Sequence, residues 1–222
     1  MKKVIFFSII LLCVFSVNPA FAHKLILHDD SHRDFDSALQ IPDHKISWAV
    51  YENLGTDEAK FYTFDAKKGD SFYASIVIPK IQGLEEYSPS MLIMDSENEF
   101  KEKILFEGNF PSKEFYEPFG QVTYWERQEV RLDIPNDGKY FIIVNDEKGQ
   151  SGKYSLAIGT IEDFSAIDFV TILPTAWLET KIFFNDTNAI IYFVLVLVLI
   201  FGIPISLYII KKKVKKKKIS ID

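Results

Sequence analysis

The chain has 222 residues, of which 48% are hydrophobic and 15% aromatic, with a formal charge of −6 at neutral pH and a single cysteine. The acidic balance argues against nucleic acid as a partner, and one cysteine at position 13 excludes a disulfide-stapled scaffold. Stability has to come from an ordinary hydrophobic core, for which the chain is long enough.

Residues 1–22 carry the three parts of a secretory signal. Lys2 and Lys3 form a basic start, an apolar run extends from Val4 to Val17, and Ala20-Phe21-Ala22 is a small-x-small cleavage site. The run is about 14 residues, short of the roughly 20 that span hydrocarbon, so cleavage is expected and the mature chain starts at His23. Cys13 leaves with the signal.

The stretch HKLILHDDSH, residues 23–32, holds three of the four histidines, and the fourth is His44. After cleavage His23 offers an amine and an imidazole to one ion, a chelate suited to copper(II), with His28 or His32 adding nitrogen. The period of 2 in a strand puts His23, Leu25 and Leu27 on one face and His28 on the other, so such a site needs a bend. The alternative is a polar N-terminal arm with solvated histidines. No other cofactor is implied.

From residue 46 onward alternating apolar residues indicate strands. Ile46, Trp48 and Val50 share a face in ISWAVYE, and KFYTFDA follows the turn-forming NLGTDE. In SFYASIVI, Phe72, Ala74, Ile76 and Ile78 face one way until Pro79 ends the run. SMLIMD is a short buried candidate, and EVRLDI places Val130, Leu132 and Ile134 inward. Asn136-Asp137-Gly138 is a hairpin signal, followed by KYFIIVN, a turn at Gly149 to Gly152, and KYSLAIG. Seven or more short strands without a long amphipathic helix among them predict an all-β fold, an antiparallel jelly-roll-like β-sandwich over residues 23–163.

Two blocks carry a family resemblance. FYTFDAKKGDSFYASI, residues 61–76, resembles the Tyr-x-Phe-x-x-x-x-Gly-Asp strand pair of pre-peptidase C-terminal β-sandwich modules. GKYFIIVNDEKGQSGKYSLAIG, residues 138–159, is similar to their closing Gly-x-Tyr and Gly-x-Tyr-x-Leu strands. The resemblance implies a small, generally non-catalytic appendage of secreted proteins. The middle departs from the family, because SPSMLIMDSENEF stands where an acidic Asp-x-Asp-Leu strand is common.

Residues 164–188 form a juxtamembrane, partly helical segment, read as two short helical pieces around Pro174, with a glycosylation sequon at Asn185. Ala189 to Ile210 is 22 residues without a charge, long enough to span a bilayer, and is expected to be a C-terminal transmembrane helix interrupted at Gly202 and Pro204. The tail, residues 211–222, opens with seven lysines among eight residues, which the positive-inside rule places in the cytoplasm. Residues 23–188 then lie outside a cell membrane crossed once. That segment holds 16 basic and 30 acidic residues, a balance of −14 that favours cations or basic partners.

Nucleophile elbows, P-loops, dinucleotide fingerprints and HExxH are absent from the sequence, and the histidines crowd at one end. No catalytic residues are assigned; a surface hydrolase is the weakest of the readings. The remaining dense stretch, FYEPFGQVTYWERQ, suggests a contact surface of Tyr116, Phe119, Tyr124 and Trp125 for a protein partner or ligand. Trp125 is out of phase with Val130, Leu132 and Ile134, so a regular strand exposes it and a bulge buries it. The whole reads as a membrane-anchored extracytoplasmic binding module, accessory to or a subunit of a membrane or envelope complex, with a copper-binding exported protein as the alternative.

Overall fold

The computed structural model describes residues 23–96, 103–106, 113–202, 205–206 and 208–212. The expected signal peptide and most of the basic tail lie outside them. Two compact units meet within one helix, the first ending at Trp177 and the second beginning at Leu178.

The first unit is mostly β and is built from two mixed sheets. In chain order its strands are β1 (Lys24–Leu25), β2 (Leu39–Gln40), β3 (Trp48–Leu54), β4 (Ala59–Ala66), β5 (Ser71–Pro79) and β6 (Ser90–Asp95). They continue with β7 (Lys103–Phe106), β8 (Lys113–Glu117), β9 (Val122–Asp133), β10 (Gly138–Asn145) and β11 (Gly152–Ile158). One sheet runs β1-β3-β11-β5-β9-β8, and the other β2-β4-β10-β6-β7. The expectation of a purely antiparallel fold is corrected at two edges, where β1 pairs with β3 and β2 with β4 in parallel. Both are two-residue strands on the long N-terminal approach, each entering its sheet from the end at which its neighbour begins rather than through a hairpin.

The alternation read from the sequence fills the space between the sheets. Phe72, Ala74, Ile76 and Ile78 are all buried, as are Val130 and Ile134. From the facing sheet come Tyr62, Phe64, Tyr140, Ile142 and Val144, in one continuous core. Phe64 stacks between Phe72 and Tyr140, at centroid distances of 4.9 and 5.5 Å.

Asn136-Asp137-Gly138 does not make a hairpin. β9 pairs with β5 and β8, whereas Gly138 opens β10 opposite Ala66 of β4. The turn passes the chain from one sheet to the other, because the inward faces of β9 and β10 are each satisfied by different neighbours. β9 also starts earlier than its apolar pattern suggested, and it carries the bulge that the Trp125 phase required. Gln128 sits opposite Ile76 and Glu126 opposite Val77, which leaves Arg127 as the extra residue. The bulge turns Arg127 inward, where it is 2% exposed. Its guanidinium donates to the carbonyls of Tyr87 at 2.9 Å and Glu85 at 2.5 Å, pinning the loop between β5 and β6.

The chain after the sandwich forms helix α1 (Asp168–Phe183), a single helix with Pro174 inside it where two pieces were expected. Proline removes one backbone donor. Thr171 and Thr175 donate their hydroxyls back to the carbonyls of Ile167 and Thr171, at 3.0 and 3.1 Å. Helix α2 (Thr187–Leu197) is capped by Asp186, whose carboxylate accepts the Ala189 N–H at 3.1 Å. A five-residue π-helical stretch, Val198–Gly202, follows. Among the described residues no helix is long and apolar enough to cross a membrane. The segment 189–210 expected to do so includes residues 203, 204 and 207, which lie outside the described ones.

Candidate functional site

The N-terminal arm supplies an edge strand to each sheet, β1 beside β3 and β2 beside β4. Lys24 N–H donates to Ser47 O at 2.8 Å and Ile26 N–H to Ala49 O at 2.9 Å, which lays the arm along β3. The chain then leaves the sheet and turns at Asp30, whose φ is +64°. Phe61 N–H of β4 donates to His32 O at 3.0 Å and draws the arm across to the second sheet. This bend brings together two histidines that a straight strand would have held apart from the sheet interior.

What they meet is Glu52. In β3 the inward series is Val50, Glu52 and Leu54, so strand phase alone directs this carboxylate into the core, where it is 2% exposed. His32, 1% exposed, places Nε2 at 2.5 Å from Glu52 Oε1, and His28 Nε2 lies 3.3 Å from the same oxygen. The ligating atoms of His28, His32 and Glu52 all lie within 4.8 Å of one another. The two imidazoles meet edge to face, with centroids 4.8 Å apart.

A tyrosine pair completes the polar end of the core. Tyr62 of one sheet donates to Glu52 Oε1 at 3.3 Å and lies 2.7 Å from the hydroxyl of Tyr154 of the other. Burial pushes both phenols well above their ordinary range, with the Glu52 charge adding to it, so both remain donors. Hydrogen bonds also set the histidine tautomers. Asp30 N–H donates to His28 Nδ1 at 3.2 Å, which leaves the ring proton on Nε2, facing Glu52 and, at 3.1 Å, Tyr51 O. His32 Nδ1 is buried and has no hydrogen-bond partner.

Charged groups hold the loop that carries the histidines. The Lys60 ammonium is fully buried and bonds Asp30, with Glu58 Oε1 at 3.3 Å. Arg33 reaches Asp30 at 2.7 Å and Glu58 at 3.0 Å. Burial by itself would raise the Asp30 carboxyl, but Lys60 and Arg33 outweigh it and hold it below its ordinary range. A buried lysine without such partners would be costly, so this network and the arm's path specify one another.

Of the three histidines expected to bind metal together, His28 and His32 converge and His23 does not. His23 Nδ1 lies 2.5 Å from Ser47 Oγ, at the start of β3, and desolvation lowers its pKa to about 4. His44 is also apart, with Nδ1 3.2 Å from Asp65 O in an open cleft of about 620 Å³ that Lys45 and Asp70 share. Glu52 was missed in the sequence, although a glutamate in phase with Val50 and Leu54 was a readable signal.

The four-residue aromatic surface is likewise rearranged. Tyr116 is 58% exposed on β8, with Phe119 half-buried in the turn that follows. Tyr124 is only 3% exposed, opposite Phe115 of β8 and with its hydroxyl 3.5 Å from that of Tyr51, so it is removed from the expected surface. Trp125, brought round by the bulge, packs partly buried against the core with the Arg127 guanidinium 5.5 Å from its ring. Phe115, not singled out in the sequence, is 43% exposed beside Tyr116.

No protein-family model matches the chain, and no curated protein matches it. Among solved structures it is similar to the pre-peptidase C-terminal domain of a collagenase from Bacillus anthracis. The identity is 15%, over 54% of this chain and 91% of that one, with a TM-score of 0.35. It is also similar to PliG of Aeromonas hydrophila, a periplasmic inhibitor of g-type lysozyme. There the identity is 15%, over 62% of this chain and 98% of that one, with a TM-score of 0.36. PliG of Salmonella Typhimurium follows at 16% identity, over 55% of this chain and 96% of that one, with a TM-score of 0.33. All are all-β folds, and the reading of this chain rests on its own sheets and site.

Proposed function

We propose that the chain is an exported, membrane-anchored binding module without catalytic activity, an accessory or subunit of a membrane or envelope complex. The carrying observation is the outer edge of β8. Among the described strands β8 pairs with β9 alone, and it presents Phe115 and Tyr116 to solvent at the end of its sheet. Lys113, Glu114 and Glu117 on the same strand discourage indiscriminate pairing, and the aromatic residues beside unpaired backbone groups suit one matching partner strand. The excess of acidic residues over residues 23–188 favours a partner with a basic contact surface.

Export and anchoring are supported by the order of segments in the sequence. A signal-like start precedes the sandwich, and a charge-free stretch followed by lysines comes after it. None of the residues of α2 is buried, so its apolar side chains are available to lipid. A jelly-roll-like description suits the sandwich, in which successive described strands change sheet at every step except β6-β7 and β8-β9.

A photo-activatable aromatic amino acid at Tyr116, in the full-length chain in the cells that make it, is expected to yield one discrete adduct, lost when Phe115→Lys is added. The same probe at Leu27, 63% exposed on the arm, serves as the control. Equal labelling from both positions, or none from Tyr116, overturns the edge as the contact. Protease added to intact cells is expected to remove the sandwich; its protection until lysis overturns the exported reading.

A further inference from the structure

We propose that His28, His32 and Glu52 form a binding site for one divalent zinc-class cation, with three protein ligands and a fourth position open on the His28 side. Two imidazole nitrogens and one carboxylate oxygen are a donor set that zinc takes, with protein ligands at about 2.0–2.2 Å. At tetrahedral angles those bond lengths put ligands about 3.3 Å apart. His28 Nε2 and Glu52 Oε1 already stand at 3.3 Å. His32 Nε2 and Glu52 Oε1, at 2.5 Å, need to separate by a little under 1 Å.

Three further observations point the same way. The carboxylate is 2% exposed and no lysine or arginine is paired with it among the described residues, so an ion would supply the missing positive charge. His32 is 1% exposed with Nε2 already aimed at the carboxylate, so little side-chain freedom remains to be lost on binding. The His28 side chain is 13% exposed against 1–2% for the other two, which gives an ion one route in.

The proton balance is explicit. In the ion-free state each ring carries its proton on Nε2, toward Glu52. Coordination through Nε2 moves that proton to Nδ1 and leaves both rings neutral, so the site keeps the Glu52 charge against the ion's two. The change costs the bond from Asp30 N–H to His28 Nδ1, which is exposed to solvent and replaceable by water, and it puts the His32 proton on a buried Nδ1 that has no hydrogen-bond partner. Because the two histidines lie on the arm and the carboxylate on β3, a bound ion ties the arm to the sheet, and the Lys60–Asp30 pair sets the loop for it. The site does not depend on the contact proposed for β8.

The test is zinc titration of the full-length chain, free of any histidine tag, purified in mild detergent and stripped with chelator. One equivalent is expected to bind with a dissociation constant in the micromolar range or tighter. Glu52→Gln, His28→Gln and His32→Gln are each expected to weaken it at least thirtyfold, and His23→Gln to leave it within twofold. Cobalt(II) in place of zinc is expected to give the intense visible bands of a four-coordinate site, abolished by Glu52→Gln. If His32→Gln fails to fold, His28→Gln, at the more exposed ligand, carries the comparison. Absence of stoichiometric binding overturns the proposal, and so does equal loss in His23→Gln or full affinity in Glu52→Gln.

Discussion

Gly159 is the position where a single methyl group should do most damage to the sandwich. It follows β11 with φ of +73°, and a Cβ there would stand 2.1 Å from Ile46 O and 2.6 Å from Ile46 C. Both are backbone atoms, so the clash cannot be relieved by turning a side chain. The strand approach has to move outward by roughly 1.5 Å to restore ordinary contact. Three bonds cross that gap: Thr160 N–H and Ile161 N–H to Lys45 O, at 3.0 and 2.9 Å, and Ser47 N–H to Ile161 O at 2.8 Å. At about 1 kcal/mol each, with about 1 kcal/mol more for the left-handed backbone, Gly159→Ala should destabilise by about 3–5 kcal/mol. Gly69 separates the two causes. It has φ of +83° with nothing within 4 Å of a built Cβ, so Gly69→Ala should cost only the backbone part, about 1 kcal/mol. Urea unfolding followed by tryptophan fluorescence compares the two. If Gly159→Ala and Gly69→Ala fall within 1 kcal/mol of each other, the close approach of β11's end to residues 45–47 is wrong.

Arg127→Met keeps the stem in the bulge but removes the donors to Tyr87 and Glu85, and should cost about 2–4 kcal/mol by urea midpoint, with faster amide exchange over residues 81–88. A loss below 1 kcal/mol would argue against a buried guanidinium. Tyr154→Phe should cost about 1 kcal/mol, and Tyr62→Phe more, because the Tyr62 hydroxyl contacts both Tyr154 and Glu52. Equal thermal shifts would contradict that geometry. For His23 the folded pKa of about 4 lies below the ordinary 6.5, so the unfolded chain takes up the proton first. Its contribution is therefore present above pH 6.5 and lost as pH falls through that window toward 4, up to about 3 kcal/mol. His23→Gln should flatten the stability profile across that interval; an unchanged acid slope would place the source elsewhere.

Much of the sandwich was legible because a half-buried strand repeats every two residues. Phe72 to Ile78 and Val130 to Ile134 were read in the right phase from their spacing alone. The same rule contained Glu52, but a lone glutamate in a strand ordinarily suggests solvent, and only the return of the arm gives it partners. Nothing local predicted that return. His28 and His32 lie 24 and 20 residues from Glu52 in sequence, and the positive φ at Asp30 with the Lys60 pair decides their approach. The bulge at Arg127 brings Trp125 opposite inward-facing Ile78 and leaves Tyr124 opposite Pro79 and Phe115, where it is buried although outside the core cluster, which spacing along β9 did not show.

The amino-acid order by itself determined the segments of this protein, because hydrophobic run length and alternation are properties of neighbouring residues. It set an apolar start, a strand-rich acidic body without cysteine, and a charge-free stretch before a lysine tail. Which strands pair, that the Asn136-Asp137-Gly138 turn changes sheets, and that two histidines of the arm close on a buried carboxylate were decided only in three dimensions. Those outcomes depend on which distant apolar faces and polar groups satisfy each other, and sequence spacing does not encode that choice.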